Sequence, residues 1–90
     1  MYDWDPKKSD ANKAKHGISF PEARDAIFEG SNLLTTDVAY VKDEPRHAII
    51  GKFKGNYYTG VFTIREFRIR IISVRRARSE EKNQAKKAGI

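Results

Sequence analysis

Ninety residues are enough for one domain, 1–90, and too few for two, and a chain this short buries only about 60–65% of its unfolded surface on folding. With 39% hydrophobic and 11% aromatic residues and no cysteine, it reads as a thinly cored folded domain, which excludes a disordered chain, a disulfide framework, a thiolate zinc site and a cysteine nucleophile. Lys+Arg 18 against Asp+Glu 12 gives a formal net charge of +6 and a pI near 9.7, so a polyanion or an acidic protein is the expected partner.

The opening Met1-Tyr2-Asp3-Trp4 has no basic flank leading into an apolar run, and no later stretch approaches the roughly 18 apolar residues of a membrane span. The expectation is a cytoplasmic protein that meets no membrane. Asp5 before Pro6 is a helix N-cap followed by a residue preorganised for the first turn, and His16-Gly17 can close that helix in a left-handed conformation. A first helix is therefore predicted over about Pro6 to Lys15. Ala11 and Ala14 are its only apolar residues after Pro6, so it should lie on the surface, anchored by its ends. Ser19-Phe20-Pro21-Glu22 is a capping box opening a second helix, about Phe20 to Glu29, with Phe20, Ala23, Ala26 and Ile27 on one face and Gly30 as its terminator.

Beyond this the period changes. Leu33 to Val41 is a candidate edge strand before the turn Asp43-Glu44-Pro45, and Arg46 to Phe53 and Tyr57 to Ile64 read as strands joined by the hairpin dipeptide Gly55-Asn56. A third main strand, about Phe67 to Arg75, follows through the short connection Arg65-Glu66, which only an antiparallel hairpin can make. From Ser79 onward, helix formers with acids first and bases last predict a short C-terminal helix, which should fray unless a partner or the sheet holds it. The fold class is α+β: two N-terminal helices packed on one face of a three- to four-stranded antiparallel sheet, with the other face left available.

Six arginines fall within fourteen residues, Arg65, Arg68, Arg70, Arg75, Arg76 and Arg78, against a single acid, Glu66. Guanidinium binds phosphate bidentately and stays charged, which makes it a ligand and a transition-state stabiliser rather than a base. The competing reading is a charged edge strand that discourages aggregation. Alternation along a strand keeps Arg75 and Arg76 from sharing one cleft unless the strand ends or bulges between them, and it places Ile72 and Val74 on the face of Arg68 and Arg70 if the strand is regular. His16 and His47 are the residues to which acid–base cleavage of RNA would turn first. His16 also suits a helix C-terminus, where imidazolium stabilises the carbonyl end, and His47 can equally be a plain surface residue. Tyr57, Tyr58, Phe53 and Phe62 can stack bases or simply fill the core. Asp3, Asp5, Asp37, Asp43 and Glu44 form no recognisable metal-ligand spacing, so neither metal nor cofactor is expected.

Taken together, Trp4-Asp5-Pro6-Lys7, Asn12, Lys15-His16-Gly17-Ile18-Ser19-Phe20 with Glu22-Ala23, then Gly51, Thr63-x-Arg65 and Arg70-Ile71-Ile72-Ser73-Val74-Arg75 closely resemble the BrnT family of toxins. The resemblance runs over nearly the whole chain. It implies a fold like that of the RelE ribonucleases, cleavage of RNA that arrests translation, and an antitoxin of the BrnA type. Such antitoxins join a toxin-binding segment to a ribbon-helix-helix domain, so operator DNA would be met only through the antitoxin. Carried over position by position, the resemblance marks Arg65, Arg75, Arg76 and Arg46 for the scissile phosphate, with His16 inside the family's most recognisable block. Arg68, Arg70, Arg78 and Lys52 then supply further nucleic-acid contacts. The implied chemistry is attack by a ribose 2′-hydroxyl on the adjacent phosphate, with arginines neutralising the charge that builds. This chain departs from the family at His47, where members often carry an aromatic, and in its Lys86-Lys87-Ala88-Gly89-Ile90 ending, where a tyrosine-containing tail is common. Two other readings use the same residues: a module that grips RNA or DNA without cutting it, and a basic protein that meets an acidic antitoxin and little else.

Overall fold

The structure, a computed structural model, describes residues 1–30, 34–35 and 39–90 of the chain. In chain order the elements are β1 (Tyr2–Asp3), α1 (Pro6–His16), α2 (Phe20–Ala23) running into a π-helical turn (Arg24–Phe28), β2 (Leu34–Thr35), β3 (Ala39–Val41), β4 (Glu44–Phe53), β5 (Asn56–Arg65), β6 (Arg68–Arg76) and α3 (Ser79–Lys87). The long strands β4, β5 and β6 form an antiparallel meander, and the sheet order is β1-β6-β5-β4-β2, with β3 also paired to β4. The strand expected over Leu33 to Val41 is present as the two short antiparallel pieces β2 and β3; Leu33 and the rest of that span, with Asp37, lie outside the described residues.

One edge corrects the expectation of a purely antiparallel sheet. β1 runs parallel to β6, Tyr2 opposite Ile69 and Asp3 opposite Arg70, and the Ile69 amide donates to the Met1 carbonyl at 2.9 Å. Two residues are too few to show a strand period, so this pairing had no signal in the sequence.

The helix boundaries follow their local chemistry. Asp5 Oδ1 accepts from the Lys7 amide at 2.9 Å, and Gly17, at φ +79°, closes α1 by donating to the Lys13 carbonyl. At Ser19 both halves of the capping box form, Glu22 N to Ser19 Oγ at 3.2 Å and Ser19 N to Glu22 Oε1 at 2.9 Å. The second helix departs from expectation after Ala23. It widens into a π turn that ends at Glu29, φ −106°, rather than through a left-handed Gly30. The wider turn sends two successive residues, Ile27 and Phe28, into the core, where α-helical spacing would have turned one of them away.

α1 also behaves differently from its apolar pattern. Ala11 and Ala14 are exposed, and the buried residues are Ser9 and Asn12. Ser9 Oγ accepts from the Phe20 amide at 3.0 Å. Asn12 donates to the Ile18 carbonyl at 2.8 Å and accepts from the Val74 amide at 3.2 Å. The helix is seated by hydrogen bonds to neighbouring backbone, which satisfy an edge amide of β6 that would otherwise be orphaned.

The core lies between the helices and one face of the sheet: Ile18, Phe20, Ala23, Ile27 and Phe28 against Ile49, Tyr58, Ile71 and Val74. The Phe28 ring stands edge-on to Phe62 at 5.5 Å and to Tyr2 at 6.1 Å, and it lies so close over Gly60 that a Cβ there would meet the ring at 2.8 Å. On the opposite face α3 packs over part of the sheet, which corrects the expectation of an open face. Ala85 is fully buried, and the Tyr57 hydroxyl donates to the Ile90 carbonyl at 2.7 Å. The sheet itself holds the helix whose composition alone would let it fray.

Each described hairpin turns on two residues at positive φ, Lys42-Asp43, Lys54-Gly55 and Glu66-Phe67. This conformation matches the twist of the flanking strands. It moves the β4–β5 turn one residue upstream of the expected Gly55-Asn56, and it puts Glu44 and Pro45 inside β4.

Candidate nucleic-acid interface

Residues directly opposed on paired strands point to the same face, so the register sorts the arginines. The inner, helix-covered face carries His47, Ile49 and Gly51 of β4 opposite Phe62, Gly60 and Tyr58 of β5, and then Ile71, Val74 and Arg76 of β6. The outer face carries Lys52 opposite Tyr57, then Thr59 opposite Arg75, Thr63 opposite Arg70 and Arg65 opposite Arg68, while Arg46 takes that face by alternation with His47. A regular β6 would have set Val74 beside Arg70. Instead the pairing slips between Val61 and Phe62 and Ile72 is left without an opposite residue, a β-bulge that changes the phase of the strand. Below the bulge the even-numbered arginines Arg68 and Arg70 face outward, and above it Arg75 does. One extra residue thus gathers Arg46, Arg65, Arg68, Arg70 and Arg75, from three strands, on one face and keeps Ile69, Ile71 and Val74 on the other.

The face has two ends. From Thr59, opposite Arg75, to Arg65, opposite Arg68, β5 runs about 20 Å at about 3.3 Å per residue. Arg46 and Arg65 therefore do not meet the same phosphate as Arg75, and the candidates Arg46, Arg65, Arg75, Arg76 and His16 do not assemble into one centre. The cluster is a track with two poles.

At the lower pole Arg65 makes a bidentate pair with Glu44, at 2.7 and 2.9 Å. That guanidinium, with Arg46 beside it, holds the Glu44 carboxyl below its ordinary pKa. Arg46 Nε is buried 3.5 Å from Glu44 Oε1 yet makes no hydrogen bond. Arg70 reaches Asp3 of β1 at 2.6 Å and lowers its pKa, while Arg68 is exposed with no ion pair among the described residues.

At the upper pole Arg75 pairs bidentately with Glu81 on the first turn of α3, at 2.7 and 3.0 Å. The Arg75 guanidinium, aided by the Arg78 amide, holds the Glu81 carboxyl down at about 2, so it is ionised throughout the physiological range. Beneath them Thr59 is fully buried. Its hydroxyl lies close enough to Glu81 to contribute to that shift but forms no well-made bond. Lys52 extends over the Tyr57 ring at 5.0 Å, and Arg78 lines a cleft of about 410 Å³ at the start of α3 with Ser79, Glu80 and Glu81. Buried polar atoms without partners are uncommon in folded proteins, and the two found among the described residues, Arg46 Nε and Thr59 Oγ1, both belong to the outer face, one at each pole.

The remaining candidates lie elsewhere. Arg76 turns to the inner side, stacked over Tyr58 at 5.5 Å and reaching Asn56 at 3.3 Å. His16 ends α1, its carbonyl accepting from the Tyr58 hydroxyl at 3.3 Å, and it lines a shallow groove of about 260 Å³ along the edge of β6 with Lys8, Lys15 and Ser73. Among the described residues it makes no hydrogen bond or ion pair to any of the arginines. His47 is half-buried and stacked on Phe62 at 5.2 Å. Of the aromatics that might stack bases, Phe53, Tyr58 and Phe62 belong to the inner face and its core, and Tyr57 alone stands outward. No three His, Asp or Glu side chains gather into a metal-ligand set among the described residues. The carboxylates that order the face, Asp3, Glu44 and Glu81, were not legible as site residues, because each was accounted for by a local role or none.

A small α+β domain whose sheet carries a core on one face and a row of guanidinium groups on the other belongs to the class of compact basic proteins. A family model described as the ribonuclease toxin BrnT of type II toxin-antitoxin systems matches residues 4–81, and the chain belongs to that family. Comparison with curated proteins found no match.

Proposed function

We propose that the chain is a metal-independent endoribonuclease of RelE type that cleaves messenger RNA and so inhibits translation. On this reading a BrnA-type ribbon-helix-helix antitoxin neutralises it, and it approaches operator DNA only through that partner. The observation that carries the reading is the row of Arg46, Arg65, Arg68, Arg70 and Arg75, with Lys52, on one face of β4, β5 and β6. A row about 20 Å long follows several consecutive phosphates of a single strand.

Within the row, Arg75 stands at the scissile phosphate. Its two terminal nitrogens are held by Glu81 and one of them also donates to the Arg76 carbonyl at 3.3 Å, which fixes the plane of the guanidinium, and Nε with one N–H of the other terminal nitrogen remain to meet the phosphate. The ribose 2′-hydroxyl attacks the neighbouring phosphorus. The P–O5′ bond breaks, leaving a 2′,3′-cyclic phosphate and a free 5′-hydroxyl, with solvent water taking the 2′ proton and supplying one to O5′, and Arg75 offsets the charge that builds on the equatorial oxygens. Glu81, with a pKa of about 2, is too weak a base for the 2′-hydroxyl and acts by positioning Arg75. Arg46, Arg65, Arg68, Arg70 and Lys52 hold the flanking phosphates.

The test is cleavage of a model transcript in the presence of a chelator. Arg75→Ala should lower kcat about 100-fold or more, in the range of a lost transition-state donor. His16→Ala should stay within about tenfold of wild type, because no proton transfer is assigned to it. A loss of about 100-fold or more in His16→Ala, or full activity in Arg75→Ala, would overturn the assignment.

A further inference from the structure

The turn between β5 and β6 sets Glu66 at φ +51° and Phe67 at φ +65°, in the left-handed region where glycine or asparagine is the usual choice and a bulky side chain is an outlier. Phe67 is also 100% exposed, so its ring recovers nothing from packing for the conformation it holds. Beside it Ile64 is 59% exposed, paired with half-buried Ile69, and Met1 lies along the same edge through its bond to the Ile69 amide. Among the described residues, the large exposed apolar groups thus lie at or beside a strained hairpin tip. Strain and exposure concentrated at one point mark a place where a second molecule completes the packing.

We propose that this tip is the seat of the antitoxin: Phe67 and Ile64 enter an apolar pocket on that protein, and acidic residues around the pocket meet Arg68 and the other cations at the rim. The proposal rests on the family reading, which supplies a protein partner, and adds to it the surface on which that partner sits. The charge of the chain, +6, selects an acidic occupant. RNA is disfavoured as the occupant because a base stacked on Phe67 would leave Ile64 uncovered: Ile64 belongs to the inner face, turned away from the arginine row, and an aliphatic group gives a base nothing to stack on.

The probe is a BrnA-type ribbon-helix-helix antitoxin protein, purified and titrated against wild type, Phe67→Asn and Ile64→Thr. Asparagine tolerates the left-handed conformation, so the free Phe67→Asn chain should melt at or above the wild-type temperature and cleave RNA as wild type does. Its dissociation constant for the antitoxin should nonetheless rise about tenfold to a hundredfold, mainly through faster dissociation. Ile64→Thr, which keeps strand propensity, should raise it less. Unchanged affinity in both variants, with wild type binding, overturns the surface alone. No binding by wild type overturns the antitoxin reading and the surface with it. A wild-type dimer that Phe67→Asn converts to a monomer, or a loss of RNA affinity in that variant, assigns the tip to another occupant and overturns the proposal.

Discussion

Replacing Glu81 with glutamine removes the charge and one of the two oxygens that accept from Arg75, while the amide oxygen can still accept from the Arg78 amide as the carboxylate does at 2.8 Å. A carboxyl lowered from 4.5 to about 2 by its folded surroundings has a ceiling of about 3 kcal/mol in stabilisation. Solvent reaches the pair, with Glu81 16% and Arg75 27% exposed, and brings the figure down to about 1–2 kcal/mol. The folded pKa is depressed, so this contribution is complete above the unfolded value near 4.5 and is lost as the pH falls toward 2. Urea unfolding at neutral pH should therefore show the Glu81→Gln midpoint about 1–2 M below wild type, given a slope of about 1 kcal/mol per molar for a chain of this size. The two curves should converge as the pH is lowered through about 4 to about 2. In RNA cleavage the same variant should lose kcat and keep KM, because it loosens a guanidinium without removing it. A stability gap that stays constant across that pH range would refute the reasoning, since it would place the loss in helix packing rather than in the ion pair.

Two further substitutions probe the scaffold. Asn12→Ala leaves the Ile18 carbonyl and the Val74 amide buried without partners and should cost about 2–4 kcal/mol in urea unfolding; a loss below about 1 kcal/mol would show that water replaces both bonds. Gly60→Ala places a Cβ 2.8 Å from a Phe28 ring that stands edge-on to Tyr2 and Phe62, and it should lower stability by about 1–3 kcal/mol, read as a fall in the same midpoint.

What could be read in the sequence was what local chemistry decides. Asp5 before Pro6, Gly17, and Ser19 with Glu22 act within one helical turn, and each does in the fold what its residue type predicts. The long strands and their antiparallel order were equally legible from β-branched runs and short connections. What remained hidden depends on partners distant in the chain. Asn12 looks like an exposed polar residue until Val74 is placed beside it, and Glu44 and Asp3 gain meaning only opposite Arg65 and Arg70. The bulge at Ile72 was the costliest omission, because a strictly alternating β6 sends Arg68 and Arg70 to the side of Val74 and scrambles the arginine face. His16 was legible as a helix end and is one, whereas its separation from the arginine row needed the register of three strands.

The polar seating of α1 has a mechanical consequence. Apolar contacts have no preferred direction of their own, but the bonds from Asn12 to Val74 and from Ser9 to Phe20 each hold a narrow range of length and direction. Val74 is the residue immediately before Arg75. A helix that contributes no guanidinium to the outer face thereby acts as its datum: whatever tilts α1 pulls on the backbone from which Arg75 projects at the upper pole.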